Sequence, residues 1–520
     1  MMIHKTARPA PSASYAFEGP PYTFEGPPYN GVRTSACGEN YMANPDHLNQ
    51  LRAGKWNEWR AANPALAPDL IDAELAGADL RGLDFSKAHL RGADLSGARL
   101  DGADLSRAIL EGARLTNASL TEAKLDNVQL DFLDLSGLDL SRVSLFRASL
   151  RGANLTRTNL RHADLSQATM ESALFDQADL SGAKLQGASL RGGRFDATVM
   201  RGVVGEGAIL DGVEFENLNM EGSIFSDAQG DNVQFKGCRL QRTNFRNAAL
   251  RSANFHGAIL CEAIFDEAGC EGASLSHADL EKASFVRTNL SEADLRQSSI
   301  IGAVFDGCIF TSAQLAELDF RSPSLGRVSF ATANLRKAVF SRCELRATDF
   351  REANLEEADL RHAFFEGANL SRANLIDAQA RHANFKQANL EEVTAQGADL
   401  SGTNLILVKA RGAKMIGADF RFTDAVGIDL QNADLRYADL RNADLTKANI
   451  TSAKLWGCKV RNTKLPSSVG HLKLLLKVSQ IFQGVGKRAD KMKQTREQKR
   501  IRQVAELVRE REAERKRRPR

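Results

Sequence analysis

A five-residue hydrophobic period runs through most of the chain, from Leu70 to Leu465. Almost every fifth residue of this stretch is Leu, Phe or another apolar residue, and the residue two positions earlier is small, usually Ala. The unit is plain in Ala78-Asp79-Leu80 and again in Ala443-Asp444-Leu445. The stretch divides into 80 units with no insertion or deletion. A repeat this regular predicts one continuous repeat body rather than several globular domains.

A period of five matches neither an α-helix nor a flat strand, whose side chains repeat every 3.6 and 2 residues. It predicts a chain that turns a corner every five residues. The small residue and the apolar centre then point inward, and the other three residues face water. Four corners close one coil, so residues 20 apart stack. The predicted fold is an all-β solenoid of about 20 coils, roughly 95 Å long at the usual strand spacing.

The aromatic centres predict ladders of stacked rings inside this solenoid. Phe residues recur every ten positions, which places them on two opposite sides of the coil, and the second set moves to the other two sides. The predicted core residues are Phe215, Phe225, Phe235, Phe245, Phe255 and Phe265, followed by Phe310, Phe320, Phe330, Phe340 and Phe350.

A small residue at a centre must be compensated by a larger neighbour if the interior is to keep a constant volume. Gly205 follows a larger residue, Val203, within its own unit, whereas Gly230 follows only Ala228. We therefore expect local thinning of the core at Gly230. Pro323, the only proline within residues 70–465, is expected to disturb one corner.

Both ends differ from the array in composition. Residues 1–41, rich in Pro and Gly, contain a tandem Tyr-x-Phe-Glu-Gly-Pro-Pro heptad and predict a disordered leader. Residues 42–69 predict a helical N-cap that starts at Asn44-Pro45-Asp46 and runs to Pro64. Its Trp56 and Trp59 are interpreted as packing on the first coil rather than as a ligand cage. Residues 466–486 predict an apolar C-terminal cap helix, and a homodimer contact through it stays open.

The charges are distributed unevenly along the chain. Residues 466–520 contain 17 basic and 6 acidic side chains, whereas residues 69–465 carry a net charge of −8. Residues 487–520 predict a basic, partly helical tail that binds nucleic acid or another polyanion. The candidate polyanion-binding residues are Lys487, Arg488, Lys499, Arg500, Arg502, Arg515, Lys516, Arg517 and Arg518.

Catalytic chemistry has little support in the sequence. No phosphate loop, nucleophile elbow or metal-ligand motif is present, so no enzyme activity, cofactor or metal is predicted. His362 and His382 are 20 residues apart and should stack, but each follows an arginine that repels cations. The seven cysteines form no C-x-x-C pair. Five of them fall on inward positions and are interpreted as reduced, buried residues of a cytoplasmic protein, namely Cys238, Cys270, Cys308, Cys343 and Cys458. No apolar run reaches the ~20 residues of a membrane span.

The A-(D/N)-L-x-x units of residues 70–465 resemble the pentapeptide repeat family. This resemblance implies a right-handed quadrilateral β-helix with no general catalytic activity. The segment from His47 to Leu75 also looks like the capping leader found before many such arrays. Some members of the family mimic duplex DNA and act on DNA gyrase, several of them carrying projecting loops that this array lacks. Other members are translocated bacterial effectors.

Three functional hypotheses follow. The first is a non-catalytic binding or scaffold protein of the bacterial cytoplasm that presents a rigid charged rod to a protein partner, in its sharpest form a DNA topoisomerase engaged by duplex mimicry. The second is a translocated or envelope-associated effector secreted without a classical signal peptide. The third is polyanion or nucleic-acid binding through the basic tail. An acidic stripe on one side would favour mimicry, and an even mixture of charges would count against it.

Overall fold

The computed structural model describes residues 42–467, which form two short helices followed by a four-sided β-helix. The predicted leader (1–41), nearly all of the predicted C-terminal cap helix (466–486) and the whole predicted basic tail (487–520) lie outside the described residues. The nine candidate polyanion-binding residues therefore lie there too.

The first helix, α1, spans Pro45–Arg52 and begins where the sequence predicts. The side chain of Asn44 accepts hydrogen bonds from the backbone N–H groups of Asp46, at 2.9 Å, and His47, at 3.4 Å. Proline at the first helical position costs no hydrogen bond, because that N–H would have no partner within the helix. The start of the helix is thus fixed by three consecutive residues.

The second helix, α2, spans Trp56–Ala62, so the single helix predicted up to Pro64 is wrong. The chain breaks at Gly54, whose φ of +68° belongs to the left-handed region that glycine adopts without strain. This break allows α2 to turn its own face toward the β-helix, whereas one continuous helix would have placed Leu48, Leu51, Trp56 and Trp59 on a common face.

The helices cover the first coil mainly through Trp56, which is only 1% exposed. Its indole Nε1 donates a hydrogen bond of 2.7 Å to the carbonyl of Asp84, and its ring centroid lies 5.1 Å from that of Phe85. The ring of Trp59 lies 5.2 Å from the ring of Trp56 and is partly buried against the same core. The structure therefore places both tryptophans in the cap.

Each side of the β-helix is so short that neighbouring coils pair through single parallel bridges. In most units the residue before the centre pairs with the residue 20 positions later, from Asp69 with His89 to Asp444 with Lys464. Most centres also donate their N–H to the next coil, as Leu70 does to the carbonyl of His89 at 2.8 Å. These bonds satisfy the backbone inside the coils, so unpaired edges belong to the ends.

The corners require a left-handed residue in every unit. The second residue after each centre has a positive φ, between +54° and +77°, across residues 72–462, except at Ser322 in the turn next to Pro323. Glycine is frequent at this position, and Asn, Asp, Glu and Arg are also accepted. Gly97 is an open example, since a Cβ built on it would have no atom within 4 Å.

Replacing Gly97 by valine should lower the free energy of unfolding by roughly 1–2 kcal/mol, because a β-branched residue is strained in the left-handed region. The open surroundings of Gly97 exclude steric crowding as the cause. Denaturant unfolding of the purified variant measures the change. Ser96→Val, at the adjacent turn position without a positive φ, is the matched control and should have a much smaller effect. Equal losses at the two positions would contradict this account of the corner.

The aromatic ladders fill the interior. All eleven predicted core phenylalanines are at most 1% exposed. Along one side the rings of Phe215 and Phe235 lie 5.5 Å apart, and those of Phe235 and Phe255 lie 5.1 Å apart. Rings from adjacent sides meet edge to face, as Phe235 and Phe245 do at 5.5 Å. The sequence interpretation omitted six further members of these ladders, namely Phe175, Phe195, Phe285, Phe305, Phe365 and Phe385.

The two irregular positions, Gly230 and Pro323, behave differently from one another. A Cβ on Gly230 would lie 3.2 Å from side-chain atoms of both Leu250 and Val233, so neighbouring side chains close the space where thinning was expected. Pro323 does disturb its corner, since the turn at residues 321–323 departs from the form of the other turns. Its ring nitrogen has no hydrogen to donate, whereas Ala313 at the same place in its unit donates to Phe310 at 3.0 Å.

Candidate functional site

The interior of the β-helix offers no polar concave site in the part of the chain that the structure describes. Two cavities lie inside the β-helix, and both are lined only by the centres of the repeat. One is lined by Leu430 to Leu465 at the C-terminal end, where Ile450 and Leu455 become half-buried. These apolar cavities contain no converging polar groups, which binding and catalytic sites require.

The two histidines stack as the sequence predicts, with ring centroids 5.3 Å apart. Both side chains are exposed. Within residues 42–467, no group of three or more His, Cys, Asp or Glu side chains is placed to hold a metal ion. His362 and His382 are therefore part of the outer surface rather than of a recognisable metal centre.

The cysteines of the described residues are all unbridged, and five of the six are buried. Cys308 and Cys458 each donate their thiol to the carbonyl 23 residues earlier, at 2.7 and 2.9 Å. Burial raises the pKa of Cys458 to about 12. Half-buried Cys261 lies on the outside, where burial and a thiol hydrogen bond to Asp279 raise its pKa to about 11. Such thiols are poor nucleophiles, because the thiolate is the reactive form.

The charged residues that stand 20 positions apart from 91 to 211 form one column, and several of them make ion pairs between successive coils. Arg91 lies 3.4 Å from Glu111, Arg151 lies 3.3 Å from Glu171, and Arg191 lies 2.6 Å from Asp211. These side chains are about one-third to two-thirds exposed. Exposed pairs of this kind contribute little to stability, so the column is best described as a solvated face.

A second charge pattern, missed in the sequence, links an aspartate to the arginine two residues later. In Asp359-Leu360-Arg361, Nε and Nη2 of the arginine donate to the two carboxylate oxygens at 2.8 and 2.7 Å. The centre between them points inward, which leaves both charged side chains on the same outer edge. The signal Asp-apolar-Arg is visible in the sequence and recurs at 79–81, 294–296, 319–321, 349–351, 419–421, 434–436 and 439–441.

We call these pairs arginine clamps, and they remove much of the free negative charge from the C-terminal half. Arg361 holds the pKa of Asp359 below its ordinary value through the side-chain hydrogen bond, and Arg436 does the same for Asp434. The carboxylates stay ionised at neutral pH but are neutralised locally by their partner. A row of clamped aspartates is thus a poor mimic of a phosphate backbone.

Free negative charge is concentrated in the middle of the array. Residues 202–281 contain 13 Asp and Glu against 5 Lys and Arg, a net charge of −8. The rest of the array is close to neutral, because residues 69–465 together also carry −8. Single coils carry charges of both signs, but the net negative charge is concentrated in the coils of residues 202–281. The total charge of residues 69–465 does not reveal this concentration.

Within this middle segment, carboxylates border one flat side in two rows. The side itself is uncharged, with Ile209, Gln229, Ala249 and Gly269 facing outward. One basic residue interrupts each row, on the same coil, at Arg246 and Arg251. We call this side with its two bordering turns the acidic surface. Its first row consists of Glu206, Asp227, Asp266 and Glu267, and its second row consists of Asp211, Asp231 and Glu271.

Most carboxylates of the acidic surface have no cationic partner among the described residues; only Glu267 and Asp211 form ion pairs. Asp266 accepts hydrogen bonds from the hydroxyl of Ser284 and the backbone of Val286, and Glu271 accepts one of 2.6 Å from Asn289. These neutral donors fix the carboxylates without removing their charge. The surface therefore presents oriented negative charge to a partner.

Family models account for most of the array. The model described as pentapeptide repeats matches eight segments, which cover more than half of the chain. The chain belongs to the pentapeptide repeat family. The matched segments are residues 69–107, 98–131, 123–161, 153–192, 231–266, 348–387, 383–424 and 428–465, and a second model, described as a pentapeptide repeat region, matches residues 273–350. Membership implies a right-handed quadrilateral β-helix, and proteins of this family are generally non-catalytic structural or binding proteins.

Solved structures of the family align with parts of the chain. HetL, a pentapeptide repeat protein involved in heterocyst differentiation regulation from the cyanobacterium Nostoc sp. strain PCC 7120, is 24% identical over 49% of this chain and 91% of its own, with a TM-score of 0.18. Rfr23 from the cyanobacterium Cyanothece 51142 is 26% identical over 24% and 90%, with a TM-score of 0.17. QnrB1, a plasmid-mediated fluoroquinolone resistance protein, is 23% identical over 37% and 86%, with a TM-score of 0.22.

TM-scores this low carry no information about function. No match was found among curated proteins. No helix within residues 42–467 is long and apolar enough to cross a membrane.

Proposed function

We propose that this protein is a non-catalytic binding scaffold whose acidic surface engages a basic surface on a protein partner. The observation that carries the proposal is the pair of carboxylate rows, 206–267 and 211–271, on either side of an uncharged face. Complementary charge steers association and fixes the register of an interface. The proposed compartment is the bacterial cytoplasm, in keeping with six unbridged cysteines among the described residues.

Rigidity of the acidic surface supports this role. The coils beneath it contain the ladder of Phe215, Phe235 and Phe255 and its counterpart on the opposite side, all fully buried. A packed interior keeps the two rows at a constant separation, so little conformational entropy is lost on binding. In the proposed rod of about 20 coils, the neutral segments on either side act as spacers.

The narrower form of the proposal is a DNA topoisomerase partner engaged by duplex mimicry. Two parallel rows of negative charge separated by a neutral face correspond to two phosphate backbones separated by a groove. The acidic surface supports this form, whereas the clamped aspartates of the C-terminal half do not. Mimicry is therefore proposed for residues 206–271 alone.

The test compares two triple variants of the full-length protein. Glu206→Gln, Asp227→Asn and Glu271→Gln together remove three charges from the acidic surface while keeping side-chain size. Glu74→Gln, Glu317→Gln and Asp377→Asn remove three charges from other parts of the array, from side chains that form no ion pair with a described residue. Binding to purified bacterial type II topoisomerase and inhibition of its supercoiling activity are measured for both.

The acidic-surface variant should bind roughly tenfold more weakly, because three lost charge pairs of ~0.5 kcal/mol each total about 1.5 kcal/mol. The control variant should bind as the unmodified protein does. If the unmodified protein fails to bind topoisomerase, the proposal of a topoisomerase partner is wrong. If both variants also retain the same partners from a bacterial lysate, the acidic surface is not the binding site.

A further inference from the structure

One column of turns in the C-terminal part of the array contains arginine and no carboxylate. It comprises the two-residue turns from 321–322 to 461–462, one on each of eight successive coils. Each of the other three turn columns over the same coils contains at least one Asp or Glu. We call this column the arginine ridge. Its arginines are Arg321, Arg342, Arg361, Arg381, Arg421, Arg441 and Arg461.

Four of the seven ridge arginines are fixed by clamps. In the clamp of Arg441, for example, Nε and Nη2 donate to Asp439 at 2.8 and 2.6 Å, while Nη1 makes no hydrogen bond with a described residue. The same arrangement holds Arg421 on Asp419. A guanidinium has five N–H donors, so a clamped arginine retains donors for a second anion. The clamp also orders the side chain before any ligand arrives, which lowers the entropic cost of binding.

The remaining three ridge arginines provide uncompensated charge. Arg342, Arg381 and Arg461 are exposed and form no ion pair with any residue in the described range. For two of them the sequence gives the reason, because the position two residues earlier is Gln379 or Lys459 instead of aspartate. Ordered and free guanidinium groups thus lie together along one edge.

Aromatic rings lie on the same edge. The stacked imidazoles of His362 and His382 occupy the second positions of two adjacent turns. Phe422, on the turn that also carries Arg421, is 64% exposed, which is unusual for a phenylalanine. Arginine fixes phosphates through its planar fork, and aromatic faces stack on nucleobases. A ligand that contains both phosphates and nucleobases would match this combination of arginines and aromatic rings.

We propose that the arginine ridge binds single-stranded nucleic acid, with the phosphates on the arginines and bases against Phe422 and the histidines. Carboxylates flank the ridge on both neighbouring sides, including Asp399 before it and Glu344 after it. A flat anionic membrane would meet these carboxylates, whereas a narrow polymer can follow the ridge. Seven coil spacings from Arg321 to Arg461 give roughly 34 Å, enough for a site of several nucleotides.

The position of the ridge also fits the charge of the chain beyond it. The ridge reaches Arg461, and the residues after Ser467 contain 17 of the chain's 69 Lys and Arg side chains and only 6 Asp or Glu. The ridge thus lies next in sequence to the most basic part of the chain. This inference stands apart from the proposed protein partner, because it uses different residues on different coils.

The test measures binding of a 20-nucleotide polyuridylate RNA to full-length protein by fluorescence anisotropy at several salt concentrations. Arg342→Gln, Arg381→Gln and Arg461→Gln together neutralise the three free arginines and leave no aspartate without its partner. Arg107→Gln, Arg251→Gln and Arg327→Gln are the matched control, since these exposed arginines of other turn columns also form no ion pair with a described residue. The ridge variant should bind roughly tenfold more weakly, with the salt slope reduced by about 2. The control should change affinity less than twofold.

Cross-linking separates the ridge from the basic tail. With 4-thiouridine in the RNA, cross-linked peptides should include residues 341–462. Cross-links confined to residues 487–520, with equal affinities of the two triple variants, would overturn the proposal. An equal loss of binding to polyglutamate would overturn its assignment to nucleic acid, and a change in self-association without a change in RNA binding would assign the ridge to a second copy of the chain. The acidic-surface variant should keep its RNA affinity, so the two proposals can fail independently.

Discussion

Replacing Phe235 by alanine should lower the free energy of unfolding by about 3–5 kcal/mol. The ring is fully buried and stacks on Phe215 and Phe255 at 5.5 and 5.1 Å, and it meets Phe245 edge to face. Removing it leaves a cavity that the neighbouring coils cannot close, because backbone bonds between coils fix their spacing. Phe245→Ala should cost a similar amount for the same reason. Denaturant unfolding of purified variants gives the change.

Lys236 and Arg246 provide the controls, since each directly follows one of these phenylalanines and points outward. Lys236 lies 3.9 Å from Glu216, and Arg246 lies 3.8 Å from Glu267, both as exposed ion pairs. Their replacement by alanine should cost less than about 1 kcal/mol. Comparable losses at all four positions would mean that the alternation of inward and outward residues is wrongly assigned.

The unit of the β-helix could be predicted because its signal is repeated 80 times. A centre such as Phe235 is recognised by its register alone, since a shift of one residue would turn charged residues such as Lys236 and Arg239 inward. The interior of single units was harder to predict. The space at Gly205 is filled by Phe225 from the next coil, whose ring atoms lie 2.9 Å from a Cβ built there, and not only by Val203. Volume is balanced between coils, and residues 20 apart must be compared to see it.

Two features of the backbone, the break at Gly54 and the left-handed turn residue, could not be predicted from the hydrophobic pattern. Gly54 ends α1 and separates it from α2, although a glycine at that point is also compatible with a continuous amphipathic pattern. The positive φ at the second turn position is occupied by residues as different as Gly97 and Arg342. Side-chain type at that position therefore signals the turn only weakly.

The two candidate surfaces could not be predicted from the total charge of the array. A total charge for the array cannot show that residues 202–281 alone carry −8, nor that Asp359 is neutralised by Arg361 two positions later. Both facts were present in the sequence, but their meaning depends on which residues share an edge of the coil. Once the 20-residue coil is established, the acidic surface and the arginine ridge can be found by counting charges in columns.

Replacing Trp56 by alanine should also cost about 3–5 kcal/mol, but the loss should be felt at one end of the β-helix. In a repeat array each coil contacts only its neighbours, so a damaged cap exposes the first coils while the distant coils keep their contacts. Trp56 covers Phe85 and bonds to the carbonyl of Asp84, and buried Arg60 donates to the carbonyl of Ser86 at 3.1 Å. Without the indole, these contacts between α2 and the first coil should open together.

Hydrogen exchange read by peptide mass spectrometry distinguishes this local opening from global destabilisation. In Trp56→Ala, backbone amides of residues 70–110 should exchange faster, while those around Phe330 keep their protection. Phe235→Ala should instead raise exchange in the coils on either side of residue 235. Trp59→Ala is the matched cap control and should have a smaller effect, because Trp59 is only partly buried. Uniform loss of protection along residues 70–465 in Trp56→Ala would show that the array unfolds as a single cooperative unit and that the cap stabilises all of it.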